Sequence, residues 1–456
     1  MPDRLLLRGG YVLSQDPDIG DIDGGDVLLE GDTIAAVAPD IDASDAEVID
    51  VTGDVVIPGF VDSHRHTWET PIRGCAPNAT LDDYFGIVLD GFAVAYRPED
   101  VYIGNYMGAL ECINAGVTTL LDWSHIQNTP DHSDEAIRGL RESGIRSVFA
   151  YGFPNTSLAD WWYNSSLKTP DDVRRVREQY FSSDDGLLTM ALATRGPGFC
   201  EPEVVKHEWA LARELDLPIT VHVAMGRVAG RFSMVNQLHD MDLLGPDTTY
   251  IHSCYLSDDE WKLVADSGGK ISIAAQVELQ MGHGYPPSLK ARELDLRPSL
   301  SVDVVTTVPG DMFTEMRAVF ASERVAVNAE CWQADVDVPQ TMLTARDVLR
   351  SATIDGAYVC GLEDRTGSLT PGKKADVVVI DGKSPNVAPI TDPTATVVLF
   401  ADVSNVDTVI INGVIHKRHG KLVVDFERHR RLLEESRDFL VGRVERDPNW
   451  MVPAVG

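Results

Sequence analysis

The chain has 456 residues, 44% of them hydrophobic, and a formal charge of −32 at pH 7. That length is too great for one small core and suits a barrel of about 250 residues with a second unit beside it. The acidic balance disfavours nucleic acid as a partner, because a polyanion is repelled, and no apolar run reaches the ~18 residues of a membrane span.

Residues 1–10 enter a strand-like pattern directly, without the basic-then-apolar layout of a signal peptide, so a cytoplasmic location is expected. Apolar runs at 5–7, 27–29, 34–37 and 55–57 are bounded by Gly and Asp and read as short strands. They make 1–58 a β unit. From Pro58 the texture changes. Strand-like runs at 59–62, 118–122, 147–151, 189–193, 219–222, 249–252, 270–273 and 300–303 alternate with helix-length amphipathic segments, among them 131–143 and 170–180. Eight strands separated by helices predict an α/β fold of the (β/α)8 TIM-barrel type over 59–361, with 347–360 as the closing helix. Strand texture returns over 362–425, at 375–381, 396–399 and 406–412, so the two β-rich ends should fold together beside the barrel. The tail, 426–456, holds a last helix over 426–446 whose apolar side is Phe426, Leu432, Leu433, Phe439 and Leu440. It is expected to cap the β unit, with a homodimer or higher homo-oligomer contact as the alternative.

The six cysteines are far apart, with no metal-ligand or redox spacing, and read as buried free thiols. Lysines number ten against 29 arginines. An acidic, lysine-poor surface suits concentrated salt, which screens self-repulsion; a GC-rich genome would give the same bias.

The strongest chemical signal is Pro58-Gly59-Phe60-Val61-Asp62-Ser63-His64-Arg65-His66. Side chains at i and i+2 of a strand share a face, so His64 and His66 should reach together into the mouth of the barrel, where such folds build active sites. Neutral imidazoles are good ligands for zinc and iron. His222, His252 and Asp303 each follow an apolar run and also fit the mouth. His125 and His283 follow barrel strands and are candidates to line the pocket. His207, His239, His416, His419 and His429 read as solvated or structural, and His132 as loop surface.

The stretch from Val56 to His66 resembles the first barrel strand of the amidohydrolase superfamily, in the branch of cytosine deaminase, adenosylhomocysteine deaminase and the triazine hydrolases. Asn114-Ala115-Gly116-Val117-Thr118-Thr119, Ala352-Thr353-Ile354-Asp355-Gly356-Ala357 and Gly367-Ser368-Leu369-Thr370-Pro371-Gly372-Lys373-Lys374-Ala375-Asp376 extend the likeness over nearly the whole chain. The resemblance implies a composite β-sandwich formed by both chain ends. It implies a metal held by His64, His66, His222 and Asp303, with Asp303 and His252 catalytic. Such an ion brings the pKa of its water towards ~7. Asp303 would take that proton to the leaving group, and His252 would polarise the atom under attack.

Two departures stand out. The fourth-strand run 187–195 lacks the lysine that bridges two metals in relatives, so one divalent ion is expected, Zn2+ first and Fe2+ as the alternative. The branch's deaminases carry a glutamate three residues after the fifth-strand histidine, where this chain has Met225. A thioether carries no proton, and Glu69, Glu278 and Glu315 are the candidate substitutes. Trp68, Trp123, His125 and Met225 are expected to contact the substrate, and Trp161-Trp162 would also suit a planar ring. The function implied is hydrolysis of a carbon–nitrogen bond, or loss of another leaving group, on a small heterocycle or amide. A lyase or cyclase step on the same scaffold and a catalytically silent metal-binding homologue are the alternatives.

Overall fold

Eight parallel strands form one sheet in sequential order in the computed structural model, which describes residues 4–226, 230–339 and 342–444. They are Phe60–Arg65, Val117–Ser124, Arg146–Tyr151, Leu188–Thr194, Ile219–Val223, Thr248–His252, Lys270–Ile273 and Ser299–Leu300. Most of their residues are buried, as expected of a parallel sheet covered by helices. The sheet closes into the predicted TIM-type barrel. A bridge joins Arg65 to Asp303, and the Asp303 amide donates to the His64 carbonyl at 3.0 Å while the His66 amide donates to the Asp303 carbonyl at 2.9 Å. Gly59 opens the first strand because a Cβ there would lie 2.0 Å from Oγ1 of Thr118.

Both chain ends build a second, mixed sheet of nine strands. Val55–Pro58 from the N-terminal side pairs antiparallel with Val377–Ile380 from the C-terminal side, Val377 opposite Pro58. Asp376 fastens this sheet to the barrel. Its carboxylate accepts Arg146 Nε at 2.7 Å and Nη2 at 3.0 Å, the Asn412 amide at 2.8 Å and the Thr366 hydroxyl at 3.1 Å.

Three expectations need correction. The run expected as a strand at 396–399 is helical, within Thr396–Phe400. Asp392 caps the preceding turn by accepting the Ala395 amide, Pro393 occupies its first position, and the apolar run then packs against the long helix Met312–Ala334. The single closing helix is two, Ala345–Ser351 and Ile354–Val359. The break lets the Ala352 carbonyl accept the Val61 amide at 2.8 Å, which anchors the first barrel strand. The last helix, Phe426–Val444, packs on the barrel helix Pro98–Asn114 rather than on the β unit. Ser436 donates to Asp100 at 2.7 Å, and the Arg97 guanidinium lies 3.6 Å above the Phe439 ring. The predicted end of that helix, 445–446, lies outside the described residues. No helix among the described residues is long and apolar enough to cross a membrane.

Candidate active site

The first barrel strand delivers His64 and His66, the fifth delivers His222, and the loop after the eighth delivers Asp303. Their ligand atoms lie within 4.8 Å of one another, and all four side chains are buried. Nε2 of His64 is 3.2 Å from Nε2 of His222 and 3.1 Å from Oδ1 of Asp303. Nε2 of His66 is 3.3 Å from the same oxygen. Two nitrogens on one tetrahedral zinc, each ~2.0–2.1 Å from it, stand about 3.3 Å apart, so these spacings fit a single shared ion. The His66 ring is oriented from behind, its Nδ1 lying 2.9 Å from the Trp123 carbonyl, which directs Nε2 to the group. Burial lowers the His64 pKa to about 4 and holds His222 well below its ordinary value, which keeps both rings neutral and free to ligate. Burial opposes the Asp303 carboxylate, yet its contacts with His64 and His66 hold its pKa well below the carboxylate range.

His252 stands beside this group at the end of the sixth strand. Its Nδ1 is 3.2 Å from Oε1 of Glu278, and its Nε2, without a hydrogen-bond partner, is 3.7 Å from Oδ2 of Asp303. His252 and Asp303 both adopt left-handed backbone conformations, with φ of 70° and 66°. Such strain in residues with side chains collects where a site dictates the direction of a group.

A cavity opens over these residues, lined by His66, His222, His252 and Asp303 on one side. Leu81, Tyr84, Phe85, Leu89, Trp162, Met281 and Val304 supply the apolar wall. His125 and Met225 also line it, as does His283. Trp68 and Trp123, expected to touch substrate, do not reach it. Both are fully buried behind the histidines, Trp123 against the His222 ring with centroids 4.4 Å apart and Trp68 against His125 at 5.3 Å. They act as packing that orients imidazoles. His132, expected on the surface, is buried, with Nδ1 at 2.8 Å from the Thr129 hydroxyl and Nε2 at 3.0 Å from the Tyr96 carbonyl.

None of the three candidate glutamates takes the place left by Met225. Glu278 sits behind His252 and also accepts the Ala274 amide at 2.8 Å. Glu69 accepts from Tyr84 at 2.6 Å and Thr306 at 3.2 Å, and burial pushes its pKa up to about 7. Glu315 is held by Gln276 at 2.7 Å. The apolar wall was the part missed in sequence. Its members come from the segment 81–89 and from loops that carry no motif; only the Trp161-Trp162 pair hinted at it.

Comparison with known proteins agrees with this architecture. The amidohydrolase family profile matches residues 55–416. The chain is 30% identical over 443 residues to 5'-deoxyadenosine deaminase of Methanothermobacter thermautotrophicus, covering 95% of this chain and 98% of that one. It is 27% identical to 5-methylthioadenosine/S-adenosylhomocysteine deaminase of Symbiobacterium thermophilum, covering 91% and 93%. Among solved structures, an adenosine deaminase from Xanthomonas campestris with bound zinc superposes with a TM-score of 0.83 at 22% identity, covering 96% and 98%. An atrazine chlorohydrolase from Arthrobacter aurescens, complexed with zinc and atraton, gives 0.84 at 21% identity, covering 96% and 100%. These two likenesses speak to the fold.

Proposed function

The chain belongs to the amidohydrolase family, and from that premise we propose that it is a one-metal hydrolase of uncharged nitrogen heterocycles. The observation that carries this reading is the convergence of His64, His66, His222 and Asp303 at one side of a cavity whose facing wall is largely apolar. These four residues would hold the ion, zinc in preference to iron, since three imidazoles and one carboxylate suit either. No lysine stands on Leu188–Thr194 to bridge a second. When bound, zinc supplies Lewis acidity that makes water deprotonation accessible near neutral pH.

The chain's own groups do the rest. Asp303, through the oxygen facing His252, accepts the proton of the attacking water and returns it to the leaving group. His252, fixed by Glu278 through Nδ1, presents Nε2 to the atom that gains negative charge. The apolar wall excludes bulk water and strengthens both interactions. Trp162, Phe85 and Met225 on the cavity wall would pack against a planar ring.

Met225 supplies no proton, so the favoured substrate carries a group that leaves from an already polarised carbon: a halide, an alkoxy group, or an amine on an electron-poor ring. The names of the relatives support a second reading, deamination of an adenosine-type nucleoside. One experiment separates the two. Zinc-loaded protein is offered chloro-, alkoxy- and amino-triazines together with aminopyrimidines and adenosine-type nucleosides, and chloride, alcohol and ammonia are measured. Release from the polarised rings, with nucleosides slow or inert, supports the first reading. Efficient nucleoside deamination supports the second. No hydrolysis anywhere, with metal bound, contradicts both and favours a lyase, a cyclase or a silent homologue.

A further inference from the structure

Beyond the metal group, one imidazole in the cavity wall has its bonding incomplete. His283 is buried and lines the cavity with Met225, Met281 and Val304. Neither ring nitrogen has a hydrogen-bond partner, although buried polar atoms in folded proteins are nearly always paired. The ring stands edge-on to His252, centroids 4.7 Å apart. One nitrogen lies within 4.8 Å of ligand atoms of both His252 and Asp303.

The backbone is arranged to keep it there. Gly282 and Gly284 have φ of 79° and 134°, and a Cβ on Gly284 would lie 2.6 Å from Cβ of Cys254. The Gly226 amide donates to the His283 carbonyl at 2.8 Å. That bond ties the His283 loop to the turn carrying Met225, so both side chains enter the cavity from adjoining backbone.

We propose that His283 is a substrate-orienting residue that hydrogen-bonds the ring nitrogen next to the electrophilic carbon of a neutral heterocycle, a role that rests on the heterocycle reading above. Burial keeps this imidazole neutral, lowering its pKa to about 3, so one nitrogen donates and the other accepts. It can donate to an unsubstituted ring nitrogen of the substrate. In its other tautomer it can accept the ring N–H of the hydroxylated product. Its neighbour Met225 can do neither. A site built around such a bond rejects analogues that lack it, so His283 selects rings whose nitrogen beside the reacting carbon is unsubstituted.

The test is equilibrium binding of product-type probes to the zinc-loaded protein by calorimetry. Hypoxanthine, pyrimidinone and a hydroxy-triazine are each compared with the form methylated on the ring nitrogen beside the carbonyl. Wild type should bind at least one unmethylated probe roughly tenfold or more tightly than its methylated partner, the scale of one lost buried hydrogen bond. His283→Phe should bring that ratio close to one, and His283→Gln should retain part of it, with zinc content and melting temperature of both variants near wild type. An unchanged ratio in His283→Phe would overturn the proposal. So would loss of zinc from that variant, which would make His283 a metal ligand. Failure of every probe to bind wild type would overturn the heterocycle reading and this inference together.

Discussion

Asp303 joins the two halves of the proposed chemistry, since its Oδ1 meets His64 and His66 while its Oδ2 faces His252. An amide in its place has nearly the same shape but accepts no proton. Asp303→Asn should therefore lower turnover by ~10²–10⁴-fold with an unchanged circular dichroism spectrum; undiminished turnover would remove Asp303 from the reaction. Met225→Glu adds a carboxyl group to the cavity wall beside the polar side. New or faster ammonia release from common aminated nucleobases is expected, measured against wild type under the same zinc loading. No gain in a variant that folds and holds zinc would mean that more than an acid separates this pocket from a deaminase. At this scale the sequence was legible where local geometry sufficed. His64 and His66 share a strand face by their two-residue spacing, and His222, His252 and Asp303 follow apolar runs. Trp68 and Trp123 were misread because closeness in sequence to a ligand does not say whether a ring faces the cavity or backs the ligand. Glu278 behind His252, and the bare nitrogens of His283, depend on contacts between loops that no spacing encodes.

Glu323 shows what one element imposes on a titratable side chain. It lies on Met312–Ala334 and accepts the Leu289 amide at 2.8 Å, and burial pushes its pKa up to about 7. The unfolded chain ionises this group near the ordinary glutamate value of 4.5. Between those values the folded protein binds more protons than the unfolded one, so the contribution to stability is full below 4.5 and is lost as pH rises through about 7. Glu323→Gln keeps a carbonyl for Leu289 and removes the titration. Its melting temperature relative to wild type should rise from pH 4.5 to pH 8, and a difference independent of pH would contradict this. Elements were legible wherever period and boundary agreed. Lys270–Ile273 matches its predicted bounds, and Pro130–Ser143 differs by one residue at its start. The run Thr396–Phe400 was not legible, because β-branched residues suggest a strand while Asp392 and Pro393 start a helical turn that tertiary packing then extends.

The barrel and the terminal sheet depend on each other through a buried ion pair. Arg146 and Asp376 are almost wholly buried, and Asp376 also receives the Asn412 amide and the Thr366 hydroxyl. Asp376→Ala leaves a guanidinium buried without its counter-charge and should cost about 3–5 kcal/mol in denaturant unfolding. The Arg146→Leu/Asp376→Leu pair should recover much of that loss; a single variant as stable as wild type would mean the joint is held elsewhere. The alternation of strands and helices made the barrel legible, and the motif around Asp376 placed the return to the terminal sheet. The seat of the last helix was not legible, since an apolar stripe names no partner and Phe439 found Arg97 rather than the β unit. On the proposed reading, one ion held by His64, His66, His222 and Asp303 supports hydrolysis. Metal-stripped protein is titrated with zinc while chloride, alcohol and ammonia release from the heterocycle panel is followed. Activity should rise from near zero and level off at about one equivalent per chain, the capacity of a single closed ligand set. Continued rise to a second equivalent, or turnover indifferent to zinc, would contradict it.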